Sequence, residues 1–157
     1  MKKRSELLKP PYVFFVDRCL GKGFVPEALK ECLIEGERVE THDQHYPPNT
    51  RDVEWLQAVG AKRWVVLSQD QNITRNPLEQ KALLDARVAF FGLSRGDAPG
   101  RDKAVSLASA VDGIRRALRR FEVPLIATVS RDGDVTIKWA DGIRMKKPMR
   151  IAVRRQK

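Results

Sequence analysis

Histidine and cysteine are scarce in this chain, with two of each among 157 residues. Cys19 and Cys32 stand in no CxxC or Cys/His spacing, which excludes the common zinc-binding and thiol-redox motifs. One follows an apolar run and the other falls in a helical pattern, so both read as small buried hydrophobes rather than as a disulfide. His42 and His45 have no third histidine or suitably spaced cysteine, so His42-Asp43-Gln44-His45 reads as a hydrogen-bonding loop. There is no HExxH, no Walker loop and no nucleophile elbow, and Gly21-Lys22-Gly23 is too short to be more than a turn. No apolar stretch approaches the ~20 residues of a membrane helix. The basic start, Met1 to Ser5, lacks the apolar core of a signal peptide, so a cytoplasmic protein without membrane contact is expected. Internal repeats and low-complexity tracts are also missing.

Acidic residues are missing from one place in particular. Ile143 to Lys157 holds seven lysines and arginines and no acid. From Arg101 onward, fifteen basic residues face six acidic ones, so most of the net charge of +10 lies in the last third of the chain. A cationic half joined to a nearly neutral one favours a polyanionic partner, nucleic acid first.

What is present is the alternation of an α/β protein. Met1 to Pro11 reads as a flexible arm, and Tyr12 to Val16 as a buried strand. Val25, Ala28, Leu29, Cys32 and Leu33 mark an amphipathic helix that Gly36 ends. Val39 to His42 forms a short strand, and Pro47-Pro48 enforces a loop. A helix starts near Thr50, a third strand spans Trp64 to Leu67, a helix spans Pro77 to Arg87, and a fourth strand spans Val88 to Leu93. Ala104, Leu107, Val111, Ile114 and Leu118 then trace one helical stripe, leaving Arg115, Arg116, Arg119 and Arg120 to the other face, where they are candidates for contact with a nucleic acid or an acidic protein. Leu125 to Val129 and Val135 to Trp139, joined through Asp132-Gly133, read as a hairpin. The expectation is a mostly parallel sheet between helices over residues 12–121, with a basic β-hairpin and tail over 122–157.

Carboxylates recur where such a fold binds ligands. Asp17, Asp43 and Asp70 each end an apolar run, and the C-terminal ends of parallel strands share one edge of the sheet. Asp52 and Glu54 open the helix that begins on that edge. Carboxylates converging there repel one another unless a cation or proton lies between them. A hard divalent ion is the natural occupant, and it activates water and polarises a phosphodiester. Each acid also has a plainer role as a cap or as a complement to the helix dipole. Arg18, Lys22 and Arg75 lie near enough in sequence to meet a phosphate.

The segments Tyr12 to Leu20, Thr50 to Leu56 and Val65 to Ile73 resemble, in that order, the strands and acidic helix of PIN-like domains, most closely the branch related to VapC-type toxins. The resemblance covers about Pro11 to Leu93. It implies a three-layer α/β/α fold and an endoribonuclease dependent on Mg2+ or Mn2+, often the toxin of a toxin–antitoxin pair. Carried over by position, Asp17 is the first acid, Asp52 the second with Glu54 beside it, and Asp70 the third. Asn72 stands where many members place another acid, and it offers a carbonyl oxygen to a metal but no charge. Asp97, after the fourth strand, is a further acid that can compensate. RNA and a cognate antitoxin protein are the implied partners, and a homo-oligomer is left open. The competing reading is a non-catalytic module that binds nucleic acid or protein and carries a vestigial acidic site.

Overall fold

In the computed structural model, which describes residues 7–21, 23–69, 76–94 and 98–154, the apolar run after Pro11 forms β1 (Val13–Val16), an interior strand of the sheet. A 3-10 turn (Arg18–Leu20) follows, then α1 (Phe24–Glu31), β2 (Arg38–Thr41), the single turn α2 (His42–His45), α3 (Asp52–Ala61) and β3 (Val65–Gln69). The chain continues through α4 (Pro77–Ala86), β4 (Ala89–Leu93), α5 (Gly100–Arg120), β5 (Leu125–Val129), β6 (Val135–Ala140) and β7 (Ile143–Ile151). The seven strands lie in the order β2-β1-β3-β4-β5-β6-β7, the first five mutually parallel and the last two antiparallel. Among the described residues, no helix is long and apolar enough to cross a membrane.

Burial explains the two strand chemistries. β3 and β4 are buried along their whole length, as continuous apolar runs in a parallel sheet must be. On one face Phe14, Val16, Leu67 and Phe91 pack with Leu29 of α1 and Leu107, Ile114 and Leu118 of α5. On the other, Phe15, Val66 and Phe90 pack with Trp55, Leu56 and Val59 of α3 and Leu83 of α4. α3 and α4 approach so closely at Gly60 that a Cβ there would stand 2.1 Å from the Ala86 carbonyl oxygen. The Asn76 side chain caps α4 by accepting from the backbone N–H groups of Leu78 and Glu79. Arg87, left-handed at φ 57°, ends it.

Several expectations change on contact with the fold. β2 stops at Thr41, because His42 turns into α2, where the Thr41 backbone N–H donates to the Gln44 side chain at 2.9 Å. Residues 7–11 are not an arm: Leu8 is buried in the α1/α5 core and Arg63 donates to the Leu7 carbonyl at 3.2 Å. β5 pairs in parallel with β4, so the hairpin expected beyond residue 121 continues the central sheet. The basic tail contains β7, which turns back from β6 through Asp141-Gly142, both at positive φ (51° and 74°). That two-residue turn matches the twist of a hairpin.

Candidate active site

The strand order supplies the site. The chain moves outward from β1 to β2, then returns across β1 to lay down β3, so the order reverses between β1 and β3. Connections leave the ends of those two strands in opposite directions, which opens a crevice at their C-terminal ends. A cleft of about 610 Å³ lies there. Its walls include Asp17, Arg18 and Cys19 after β1, Asp52 of α3, Ser68 and Gln69 of β3, and Glu79 of α4.

Asp17 is held by both oxygens. One accepts from the backbone N–H of Arg18 at 2.7 Å, the other from the Ser68 hydroxyl at 2.7 Å. A carboxylate has about four acceptor positions, so this orientation leaves capacity toward the cleft. Asp52 is oriented by the Trp55 indole, whose N–H donates to it at 3.0 Å. Glu54 stays exposed and does not border the cleft, because two steps along a helix turn a side chain roughly 200° about the axis. Glu79 joins the site instead. In the sequence it passes as an ordinary acid in the first turn of a helix, with no signal that α4 would lean over β3.

Cys19 lies against the same carboxylate, its sulfur 3.2 Å from the Ser68 hydroxyl. Burial, with the Asp17 charge adding to it and the Ser68 hydrogen bond opposing it, pushes the thiol pKa up to about 11. The raised pKa disfavours the nucleophilic thiolate at neutral pH. Asp43, expected at the end of β2 but placed inside α2, faces Arg18 instead, 3.6 Å from its Nε, beside a smaller cavity of about 180 Å³. Arg18 also donates to the Pro48 carbonyl at 2.7 Å, which fixes it at the mouth of the cleft. His42 is buried among Phe15, Tyr46 and Trp55, and its Nδ1 makes no hydrogen bond among the described residues. His45 binds Glu40 at 2.9 Å, away from the cleft.

Asp70, Asn72, Arg75, Lys22 and Asp97 lie outside the described residues. Among those described, no three histidine, cysteine or acidic side chains form a metal-ligand cluster. The carboxylates that border the cleft, Asp17, Asp52 and Glu79, are hard oxygen donors, and Mg2+ commonly takes a pair of these at most and completes its shell with water. The chemistry of the donor set fits Mg2+ or Mn2+.

The arginines of α5 divide. Arg115 forks onto Glu37 at 2.8 and 3.0 Å and donates to the Cys32 carbonyl at 2.6 Å, tying α5 to the segment after α1. Arg116 pairs with Asp112 at 3.0 Å and donates to the Ala152 carbonyl at 2.7 Å. Both serve the fold, while Arg119 and Arg120 remain exposed. All four belong to the helix on the face of the sheet opposite α3 and α4.

Residues 12–95 match the family model described as a PIN-like domain, so the chain belongs to the PIN-like domain family. A relative is VapC45 of Mycobacterium tuberculosis, provisionally named a ribonuclease, 32% identical over 119 residues that cover 73% of this chain and 83% of that protein. No solved structure gives a significant match.

Proposed function

We propose that this protein is a metal-dependent endoribonuclease and the toxin of a toxin–antitoxin pair. The carrying observation is that Asp17 and Asp52, from separate elements, border one cleft at the reversal point of a PIN-like sheet. The ribonuclease name of the M. tuberculosis relative supports the choice of RNA.

Asp17 and Asp52, with Asp70 and Asn72 as further ligands, would hold Mg2+ or Mn2+, which when bound supplies Lewis-acid polarisation of the phosphodiester and a more acidic water. The remaining work belongs to the chain. The Ser68 hydroxyl and the Arg18 N–H fix the first carboxylate before substrate arrives, so no reorganisation is needed as charge develops. Arg18, braced by Pro48, meets a phosphate at the mouth, with Lys22 and Arg75 as further phosphate contacts. Glu79 adds a negative wall that disfavours a bare phosphate and favours one that arrives with a cation.

The test is cleavage of RNA by the purified chain in Mg2+ or Mn2+. EDTA should stop it, and Asp17→Asn and Asp52→Asn should each lower the rate about a hundredfold or more, since ligands matter at least as much as their supports. RNA bound but left intact with both metals would overturn the catalytic reading in favour of a binding module. Growth arrest on expression, lifted by the product of a neighbouring gene, would support the toxin assignment.

A further inference from the structure

The cleft continues into a second surface. Strand register sets Ser68 beside Gly92, Gly92 beside Thr128, Thr128 beside Thr136, and Thr136 beside Arg150. Register partners on neighbouring strands point to the same face. Ser68 faces the cleft and holds Asp17, so this row leads from the acidic site across the sheet to β7. Four strand spacings of about 4.8 Å carry it roughly 19 Å.

Ser68 and Gly92 are buried, and from β5 outward this face is partly exposed among the described residues. On the outer strands, the core beneath α3 and α4 reaches only Ile126 and Trp139 among the described residues. Val129, Val135 and Ile137, on the α5 side, are fully buried, while Thr128 and Thr136 on this side are partly exposed. Trp139 is half-buried and sits directly opposite Arg144. Along β7, Met145 and Met149 pack on the α5 core, which by alternation turns Arg144, Lys146 and Arg150 toward this partly exposed face. Arg150 is braced by Asp134, which accepts from its Nε at 3.0 Å and from its Nη2. β7 itself carries Arg144, Lys146, Lys147 and Arg150 and no acid.

We infer that this face of β5, β6 and β7 is a platform for single-stranded RNA, laying the strand across the sheet so that one phosphate reaches Asp17. Its parts match what an unpaired strand presents: cations for phosphates, hydroxyls for 2′-OH groups, and an aromatic edge for a base. A duplex hides its base faces and gains nothing from Trp139. The inference deepens the ribonuclease reading by assigning where the substrate lies, and it replaces the α5 arginines as the main RNA contact.

Binding of a fluorescent single-stranded RNA of about 12 nucleotides, followed by anisotropy in EDTA on the full chain, tests it. Arg144→Glu with Lys146→Glu should weaken binding about tenfold or more and make log Kd about one less dependent on log salt. Trp139→Ala should weaken it about tenfold, and Trp139→Phe should restore most of that loss. Reversing Arg119 and Arg120 together should change affinity less than about threefold, although the lost charge is the same. Equal affinity for a duplex, a larger loss on α5, or no loss from the β7 pair would each overturn the platform. A fall from dimer to monomer in the β7 variant would overturn it too, by showing that a second copy covers the face. Strong binding with no cleavage in either metal would sink the nuclease assignment and leave the platform standing. Cleavage with affinity unchanged in the β7 pair would do the reverse.

Discussion

From β2 to β5 the strands run parallel, and helices pack on both faces of their centre; β6 and β7 run antiparallel and, among the described residues, pack mainly on the α5 side, with Trp139 alone joining the core on the other. The covered half carries the carboxylates, and charge there is held by fixed partners: Ser68 for Asp17, Trp55 for Asp52 and Glu37 for Arg115. The outer half carries exposed cations on a hairpin strand. Chemistry that depends on a few tenths of an ångström sits where packing restricts movement, while attraction for a polyanion tolerates looser placement because it acts over a Debye length.

Three measurements can break or sharpen that contrast. The largest effect is expected at Glu37, whose buried carboxylate holds Arg115. Glu37→Gln leaves a mostly buried guanidinium without its counter-charge and should lower stability by about 3 kcal/mol, read as a shift in the denaturation midpoint. A shift under about 1 kcal/mol would show that the covered half does not rely on this pair.

Next is Cys19. With its pKa near 11, it should react with iodoacetamide about a hundredfold more slowly at pH 8 than an exposed thiol, in a Cys32→Ser background. The native rate should keep climbing with pH toward that value, and Asp17→Asn should speed it by removing a charge that opposes the thiolate. Native and unfolded chains reacting equally fast would mean that the thiol is not enclosed with Asp17 and Ser68.

The smallest is Gly142→Ala. At φ 74° the turn asks alanine to adopt a left-handed conformation, at a cost of about 1 kcal/mol. Hydrogen exchange should quicken in β6 and β7 and stay unchanged in β1 and β3. Uniform quickening would make the two halves one cooperative unit.

Legibility followed the same division. The parallel strands could be read because a strand buried on both faces must be an apolar run, and Asp17 could be read because it ends one. β7 could not, since its apolar residues, Ile143, Met145, Met149 and Ile151, are broken up by lysines, arginines and a proline. Ala140-Asp141-Gly142-Ile143 held the missing signal, a two-residue turn between strand residues. Arg115 looked like surface because it is charged, yet it stands four residues after Val111 and three before Leu118, on the edge of the buried stripe. Glu54 and Glu79 exchanged places for a similar reason. Which acid faces a cleft depends on helix phase and on which helix leans over the strand ends, and only the first can be read from spacing. Ser68 lies inside the recognised motif, but its role as the support of Asp17 needs the register of β1 against β3.

The terminal strand also bears on how these molecules behave at high concentration. β7 closes one side of the sheet, and an unpaired strand is a template onto which another chain can add. Here Pro148 removes a backbone donor from that border. Arg144, Lys146, Lys147 and Arg150 would bring like charge within about 5 Å of the same residues on an incoming copy. The strand is thus poorly suited to growing into a continuous intermolecular sheet, so its cationic character guards the folded protein against aggregation at its most vulnerable border.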